Sequence, residues 1–213
     1  MPHATASQES SEVKIHERVE LEGVKTVLLV GVGGQGTILA GNILAMCASE
    51  AGLDVKVSEI HGMSQRGGSV STIIRMGAKV DSMVCDPGCA DVLVAFEAIE
   101  ALRNQHFLKK DGALFVNDET ISPVPVNIGY AHMPERIPKK LKDIGAVRIE
   151  AGEIARSVGS PKSANVVLVG ALSTALPFSV ESWEDAISRR VPPKTVEANL
   201  KAFRLGREAV AGK

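Results

Sequence analysis

Aromatic side chains are scarce: 213 residues hold one tryptophan, Trp183, one tyrosine, Tyr130, and five phenylalanines. That shortage removes the stacking platforms by which single-stranded nucleic acids and sugars are commonly held. A dominant charge is also lacking, with 24 Lys and Arg against 25 Asp and Glu and a net charge of -1. No overall field draws the chain to nucleic acid or to an anionic membrane, and neither is expected as a partner. No run of about 18 apolar residues is present to span a bilayer, and the first residues lack the basic, apolar, small-residue order of a secretory signal. Only three cysteines occur, Cys47, Cys85 and Cys89. They are too few for a disulfide framework, a structural zinc site or an iron-sulfur cluster, and a reducing, cytoplasmic location is expected. Cys85-Asp86-Pro87-Gly88-Cys89 is not spaced as Cys-x-x-Cys and reads as a Pro-Gly turn with two buried thiols. Nucleophile-elbow, zinc-helix and Walker-type phosphate-loop motifs are absent. His3, His16, His106 and His132 are scattered along the chain. With no complete catalytic set in view, the chain reads as one part of a larger machine.

What is present is an ordinary globular composition, 45% apolar and 23% charged, with 20 glycines. At roughly 150 residues per domain the simplest division is a flexible polar tail over 1–23 and a single domain over 24–213. A branched apolar run at 26–30 predicts a strand buried on both faces, and helical spacing of Leu39, Ile43, Met46 and Cys47 predicts a helix over 37–51. Further strands are predicted at 54–60, 69–76, 91–96, 112–117 and 146–150, with a weak one around 126–128. Because only a short polar loop joins the second and third, the third should run antiparallel or out of line. Helices are predicted over 97–107, 163–176, 181–190 and 194–210, with a helical turn at 139–143. The sum is an α/β fold: a three-layer Rossmann-like sheet, mostly parallel with a mixed section, closed by C-terminal helices.

Two glycine-rich segments stand where ligands bind in such sheets. Gly31-Val32-Gly33-Gly34-Gln35-Gly36 follows the first strand and opens the first helix. There the missing Cβ atoms let backbone N–H groups approach a phosphate, although the same turn could simply bring helix and sheet together. Glu59, at the end of the second strand, stands where a ribose-binding acid would lie. The second segment, His61-Gly62-Met63-Ser64-Gln65-Arg66-Gly67-Gly68, puts an imidazole and a guanidinium on a loop at the same edge. Arg66 is of the type that grips a phosphate or carboxylate through paired hydrogen bonds. Ser163 and Asn165 read as caps of the apolar helix.

Taken together, Gly-Val-Gly-Gly-Gln-Gly and Glu59-Ile60-His61-Gly62-Met63-Ser64-Gln65-Arg66-Gly67-Gly68-Ser69-Val70 resemble the gamma-type domain of the 2-oxoacid:ferredoxin oxidoreductases. Within that family the His-Gly-Met-x-Gln-Arg-Gly-Gly form is similar to the small (beta) subunits acting on aryl pyruvates such as indolepyruvate. The resemblance runs from about 24 to 210 and takes in 91–97, Asn165-Val166-Val167-Leu168-Val169-Gly170-Ala171-Leu172 and 199–206. It implies a large alpha subunit that carries thiamine diphosphate and 4Fe-4S clusters, decarboxylates the 2-oxoacid and passes electrons to ferredoxin. The acyl group then leaves on coenzyme A, for which Gly33, Gly34, Gln35, Gly36 and Arg66 are the implied phosphate contacts at the subunit interface. Three alternatives stay open on the residues: a gamma subunit of a pyruvate or 2-oxoglutarate oxidoreductase, a stand-alone NAD(P)- or flavin-binding oxidoreductase using Glu59, and a regulatory nucleotide-binding module.

Overall fold

The computed structural model describes residues 17–62 and 67–211. The apolar run becomes β1 (Lys25–Val32), six of whose eight residues are buried. Gly36 then takes a left-handed conformation and α1 (Thr37–Glu50) begins. The chain returns as β2 (Asp54–His61), and the short connection that follows brings it straight back as β3 (Ser69–Gly77). β3 is antiparallel to both neighbours: it inserts between β1 and β2, with Leu29 opposite Thr72 and Glu59 opposite Thr72 on its other side. β1 and β2 are therefore joined by a helix yet not hydrogen-bonded to each other.

The remaining strands extend the sheet on the other side of β1. They are β4 (Ala90–Ala95), β5 (Leu108–Asn117) and β6 (Val147–Ile149), all parallel, giving the order β2-β3-β1-β4-β5-β6. α2 (Ala98–Asn104) follows β4, and a short helical turn, α3 (Val124–Asn127), and α4 (Ile137–Asp143) lie between β5 and β6. After β6 come α5 (Ala151–Ser157), α6 (Ala164–Ser173), α7 (Val180–Arg190) and α8 (Val196–Glu208).

Alternation along β1 explains the three layers. Val27 and Leu29 join one core with Ile43, Val167 and Trp183, while Leu28 and Val30 join the other with Ala98, Ile99 and Leu141. Hence α1 and the C-terminal helices cover one face, and α2 and α4 cover the opposite face. The sheet is mostly parallel with a mixed section, as the sequence predicts. Its carboxyl edge between β1 and β4, from which successive helices leave to opposite faces, is the crevice in which doubly wound sheets bind ligands.

Three sequence expectations change. The weak strand at 126–128 is instead the helical turn α3, because Pro123 and Pro125 cannot donate to a ladder but suit the start of a helix. α5 was not anticipated. Cys85 and Cys89 are not two buried thiols: they are partly exposed and joined as a disulfide, leaving buried Cys47 as the free cysteine. The Pro-Gly turn between them is present, with Gly88 at φ 74° and the Cys89 N–H donating to the Asp86 carbonyl at 3.0 Å. Residues 1–16 of the expected tail lie outside the described residues. Within 17–23, Val19 and Leu21 pack against the core, and the Val19 N–H donates to the Ala51 carbonyl. Among the described residues no helix is long and apolar enough to cross a membrane.

Candidate cofactor-binding site

The first glycine segment is held from below by Gln35. Its Oε1 accepts from the Val32 N–H at 2.7 Å and its Nε2 donates to the Phe96 carbonyl at 3.0 Å. Both ends of the amide thus bind the turn to the end of β4. Gly31 leaves room for this arrangement, since a Cβ there would stand 2.8 Å from Gln35 Oε1 and 2.9 Å from Phe96 Cβ. Gly34 and Gly36 have φ of 106° and 88°, conformations that glycine adopts without the Cβ penalty. Among the described residues no side chain caps α1, whose first turn of N–H groups lies at the positive end of the helix dipole.

The second glycine segment is stitched to the first. The Gly33 N–H donates to the Gly68 carbonyl at 2.8 Å, and the Gly67 N–H donates to the Gly33 carbonyl at 3.3 Å. Met63, Ser64, Gln65 and Arg66 lie outside the described residues. The residues after them are anchored from the opposite side, where Ser69 Oγ donates to Glu100 Oε2 at 2.6 Å. Glu100 is only 4% exposed and also pairs with Arg103 at 3.1 Å. Its neighbour Glu97 caps α2, with Oε2 accepting from the Glu100 N–H at 2.9 Å and Oε1 from the Ile121 N–H at 3.0 Å. Burial raises the Glu97 carboxyl above the usual carboxylate range, against the pull of those N–H donors and with help from the Glu100 charge.

A cavity of about 360 Å³ opens over the β2–β3 side of this construction. Gly33, Gly34, Gly36 and Thr37 form one wall, and Glu59, Ile60 and His61 from the edge strand form part of the opposite one. Ile38 and Ile60, 52% and 57% exposed, flank it as an apolar rim. Five of the residues singled out from sequence, Gly33, Gly34, Gly36, Glu59 and His61, therefore line one space. Gly31 and Gln35 support that space from beneath, whereas Gly67 lines a separate crevice with Glu97 and Glu100. Gly62 ends the described part of the second segment, and a Cβ placed on it would meet nothing within 4 Å. Chemically, the cavity offers backbone N–H groups at the start of α1 for a phosphate and an acceptor carboxylate for a hydroxyl.

Sequence reasoning missed the buried Glu97 and Glu100, whose Glu-x-x-Glu spacing directly after a strand was the available signal for a helix start. Of the two residues read as caps of the apolar helix, Asn165 accepts from a first-turn N–H, that of Val166 at 2.9 Å, and Ser163 does not. The rest of the Asn165 amide faces Gly36, where a Cβ would stand 2.3 Å from Nδ2.

Residues 26–209 match the family model of pyruvate ferredoxin/flavodoxin oxidoreductase. The chain is 42% identical over 190 residues to indolepyruvate oxidoreductase subunit IorB of Thermococcus kodakarensis, covering 86% of this chain and 94% of that protein. It is also similar to the solved gamma subunit of a keto/oxoacid ferredoxin oxidoreductase from Geobacter sulfurreducens. That match has a TM-score of 0.68 and 28% identity, over 90% of this chain and 99% of the other. The fold recurs in the 2-oxoglutarate:ferredoxin oxidoreductase of Magnetococcus marinus, solved with 2-oxoglutarate, coenzyme A and succinyl-CoA bound. Here the TM-score is 0.69 at 23% identity, over 91% of this chain and 32% of the larger one.

Proposed function

The chain belongs to the pyruvate ferredoxin/flavodoxin oxidoreductase family, and from that premise we propose that it is the small subunit of an indolepyruvate:ferredoxin oxidoreductase. Its partner is a large subunit carrying thiamine diphosphate and iron-sulfur clusters, which supply the decarboxylation and the path of electrons to ferredoxin. This chain contributes the docking site for the phosphate end of coenzyme A. The observation that carries the reading is the cavity in which the uncapped N-terminus of α1, opened by Gly34 and Gly36, faces Glu59 across the carboxyl edge of the sheet.

The fit is chemical. A diphosphate has acceptors for the N–H groups of the glycine turn and the first turn of α1, and its charge meets the positive end of that helix. Glu59 can accept from a ribose hydroxyl, and the apolar rim of Ile38 and Ile60 suits the face of an adenine. Arg66, on the segment stitched to this turn, is assigned to a phosphate or carboxylate at the active-site mouth. We place the complex in the cytoplasm, where ferredoxin is available to it.

An anaerobic pull-down with this chain as bait tests the reading. The expected eluate contains a large brown partner and reduces a viologen dye only when both indolepyruvate and coenzyme A are supplied. A colourless chain that elutes alone with a bound dinucleotide would replace this reading with a stand-alone NAD(P)- or flavin-dependent enzyme.

A further inference from the structure

The face of the sheet covered by α2 and α4 carries an open groove of about 590 Å³ between those helices. Ile99, Leu102, Pro134 and Ile144 give it an apolar lining, and Arg103 and Lys140 stand in the same wall. At the carboxyl edge the groove meets the smaller crevice of about 180 Å³ that contains Gly67 and Val124, because Ile99 and Arg103 line both. One surface therefore continues from the second glycine segment, over α2, to α4.

Beside this surface the chain between β5 and α4 holds apolar side chains in solvent. Val124, Ile128 and Tyr130 are 64%, 61% and 87% exposed, and they are three of the seven large apolar side chains so exposed among the described residues. Single exposed apolar residues are ordinary, but a cluster beside an apolar groove marks an interaction surface. The turn that presents them is already ordered. Val124 and Ile128 are one helical turn apart, the Ile128 N–H donates to the Val124 carbonyl at 3.1 Å, and the Tyr130 N–H donates to the Pro125 carbonyl at 2.8 Å. Order present before binding lowers the entropy lost on binding.

Charge and backbone conformation narrow the occupant. The whole chain is close to neutral, yet residues 132–143 hold four cations and two anions, Glu135 and Asp143. Asp143 is taken up by Lys139 at 2.7 Å, while Arg136, Lys140 and Lys142 have no ion-pair partner among the described residues. Arg136 is also the one non-glycine among the described residues with a positive φ, 58°, a strained conformation of the kind that collects at functional sites. A second copy of this chain is a poor occupant, since a two-fold contact here would bring two sets of the same cations to one interface. A surface with an apolar centre and carboxylates at its edge is complementary. The Gly67 end of the surface adjoins the segment assigned to the active-site mouth, so the chain that closes that mouth lies against the groove.

We infer that the α2–α4 groove and the Val124–Tyr130 turn form the docking surface for the large subunit, which meets it with an apolar segment edged by carboxylates. This inference rests on the proposed subunit role and names the surface through which that role is exercised.

Carbodiimide cross-linking of the assembled complex tests the surface, because it joins an ammonium to a touching carboxylate without a spacer. Cross-links are expected from Lys140 or Lys142 to Asp or Glu of the large subunit. Cross-links to a second copy of this chain, or to ferredoxin only when it is added, would overturn the assignment in favour of that occupant. Affinity gives a second reading, with the two full-length subunits recombined anaerobically. Tyr130→Ser should weaken their association about 10- to 100-fold, the range of a buried aromatic anchor. The Tm of the isolated Tyr130→Ser chain should stay within the small range of surface substitutions, which separates docking from folding. Lys140→Glu with Lys142→Glu should weaken association by a similar factor at low salt, mainly by slowing it, and by less at high salt. Lys201→Glu, on α8 across the sheet, should bind as the parent does. Parent-like binding by both groove variants, with no cross-link from Lys140 or Lys142, would overturn the inference and leave the proposed function standing. A parent chain that binds no large subunit would overturn both.

Discussion

Helices α6 and α8 cross at a pair of glycines, and replacing one of them by alanine is a stringent test of the packing. A Cβ at Gly206 would lie 2.0 Å from the Val167 carbonyl oxygen, and one at Gly170 would lie 2.1 Å from that of Phe203. Ordinary contact begins at about 3.4 Å, so Gly206→Ala must drive the helices apart by more than 1 Å. Both clashing groups are backbone and cannot turn aside. A gap of about 0.5–1 Å forfeits roughly a quarter to a half of the dispersion attraction across it. The residues affected, Phe203, Ala202, Val167 and Ala171, are all within 1% of complete burial. Overpacking of this kind usually costs about 1–3 kcal/mol, and a backbone-on-backbone clash belongs at or above the top of that range. In a chain of this size, about 3 kcal/mol lowers Tm by roughly 6–12 °C. Trp183 is a convenient reporter, being the only tryptophan, fully buried and edge-on to Phe178 at 5.9 Å between ring centroids. Its emission should shift to the red at the lower transition temperature. Lys201→Ala, on the exposed side of α8, supplies the control and should lie within about 0.5 kcal/mol of the parent. A Gly206→Ala protein as stable as Lys201→Ala would refute the close crossing.

Asp91 offers a pH test. Its burial pushes the carboxyl up, but the Lys109 ammonium, the Thr26 N–H and Lys25 outweigh that and hold it below the usual carboxylate range. The folded pKa is depressed, so the stabilisation is present above the unfolded value near pH 4 and disappears as pH falls through the folded value. Asp91→Asn should cost about 1–3 kcal/mol at neutral pH, with the gap to the parent closing in acid; a gap independent of pH would contradict the pairing. For the cysteines, thiol counting under denaturing conditions should find one thiol before reduction and three after it, since Cys85 and Cys89 are paired and Cys47 is free. Three thiols without reductant would remove the disulfide. Arg66→Ala should leave Tm within the small range of surface substitutions while impairing turnover of the complex, and unaltered turnover would cancel its role.

The layered α/β fold was readable because its signals are local and strong. A branched apolar run, a glycine turn and a helix of apolar and small residues identify β1 and α1, and the short return before β3 left an antiparallel or an out-of-line strand, of which the structure shows the first. What the spacing could not reveal was that β3 would insert between β1 and β2, a choice made by pairing across the sheet. α3 was misread because Val126 and Ile128 look like a strand until the lost donors of Pro123 and Pro125 are counted. At the candidate site, Gly33, Gly34, Gly36, Glu59 and His61 were singled out from strand ends and turn chemistry, and the structure gathers them around one cavity. Gln35 has the glycine turn's position but a different task, committing both polar ends to Val32 and Phe96. The approach of Asn165 to Gly36 was out of reach for a different reason. Asn165 lies 129 positions after Gly36, and only packing of α6 beside α1 reveals which end of its amide faces the turn.

Photo-crosslinking with 8-azido-coenzyme A on the assembled complex tests the central claim most directly, because it asks which chain holds the nucleotide end. Labelling is expected on this chain, on peptides from the end of β2 or the start of α1 around Glu59, Ile60, His61 and Ile38. Excess coenzyme A should protect those peptides and pantetheine should not. Label confined to the large subunit, with this chain unmodified, would contradict the account.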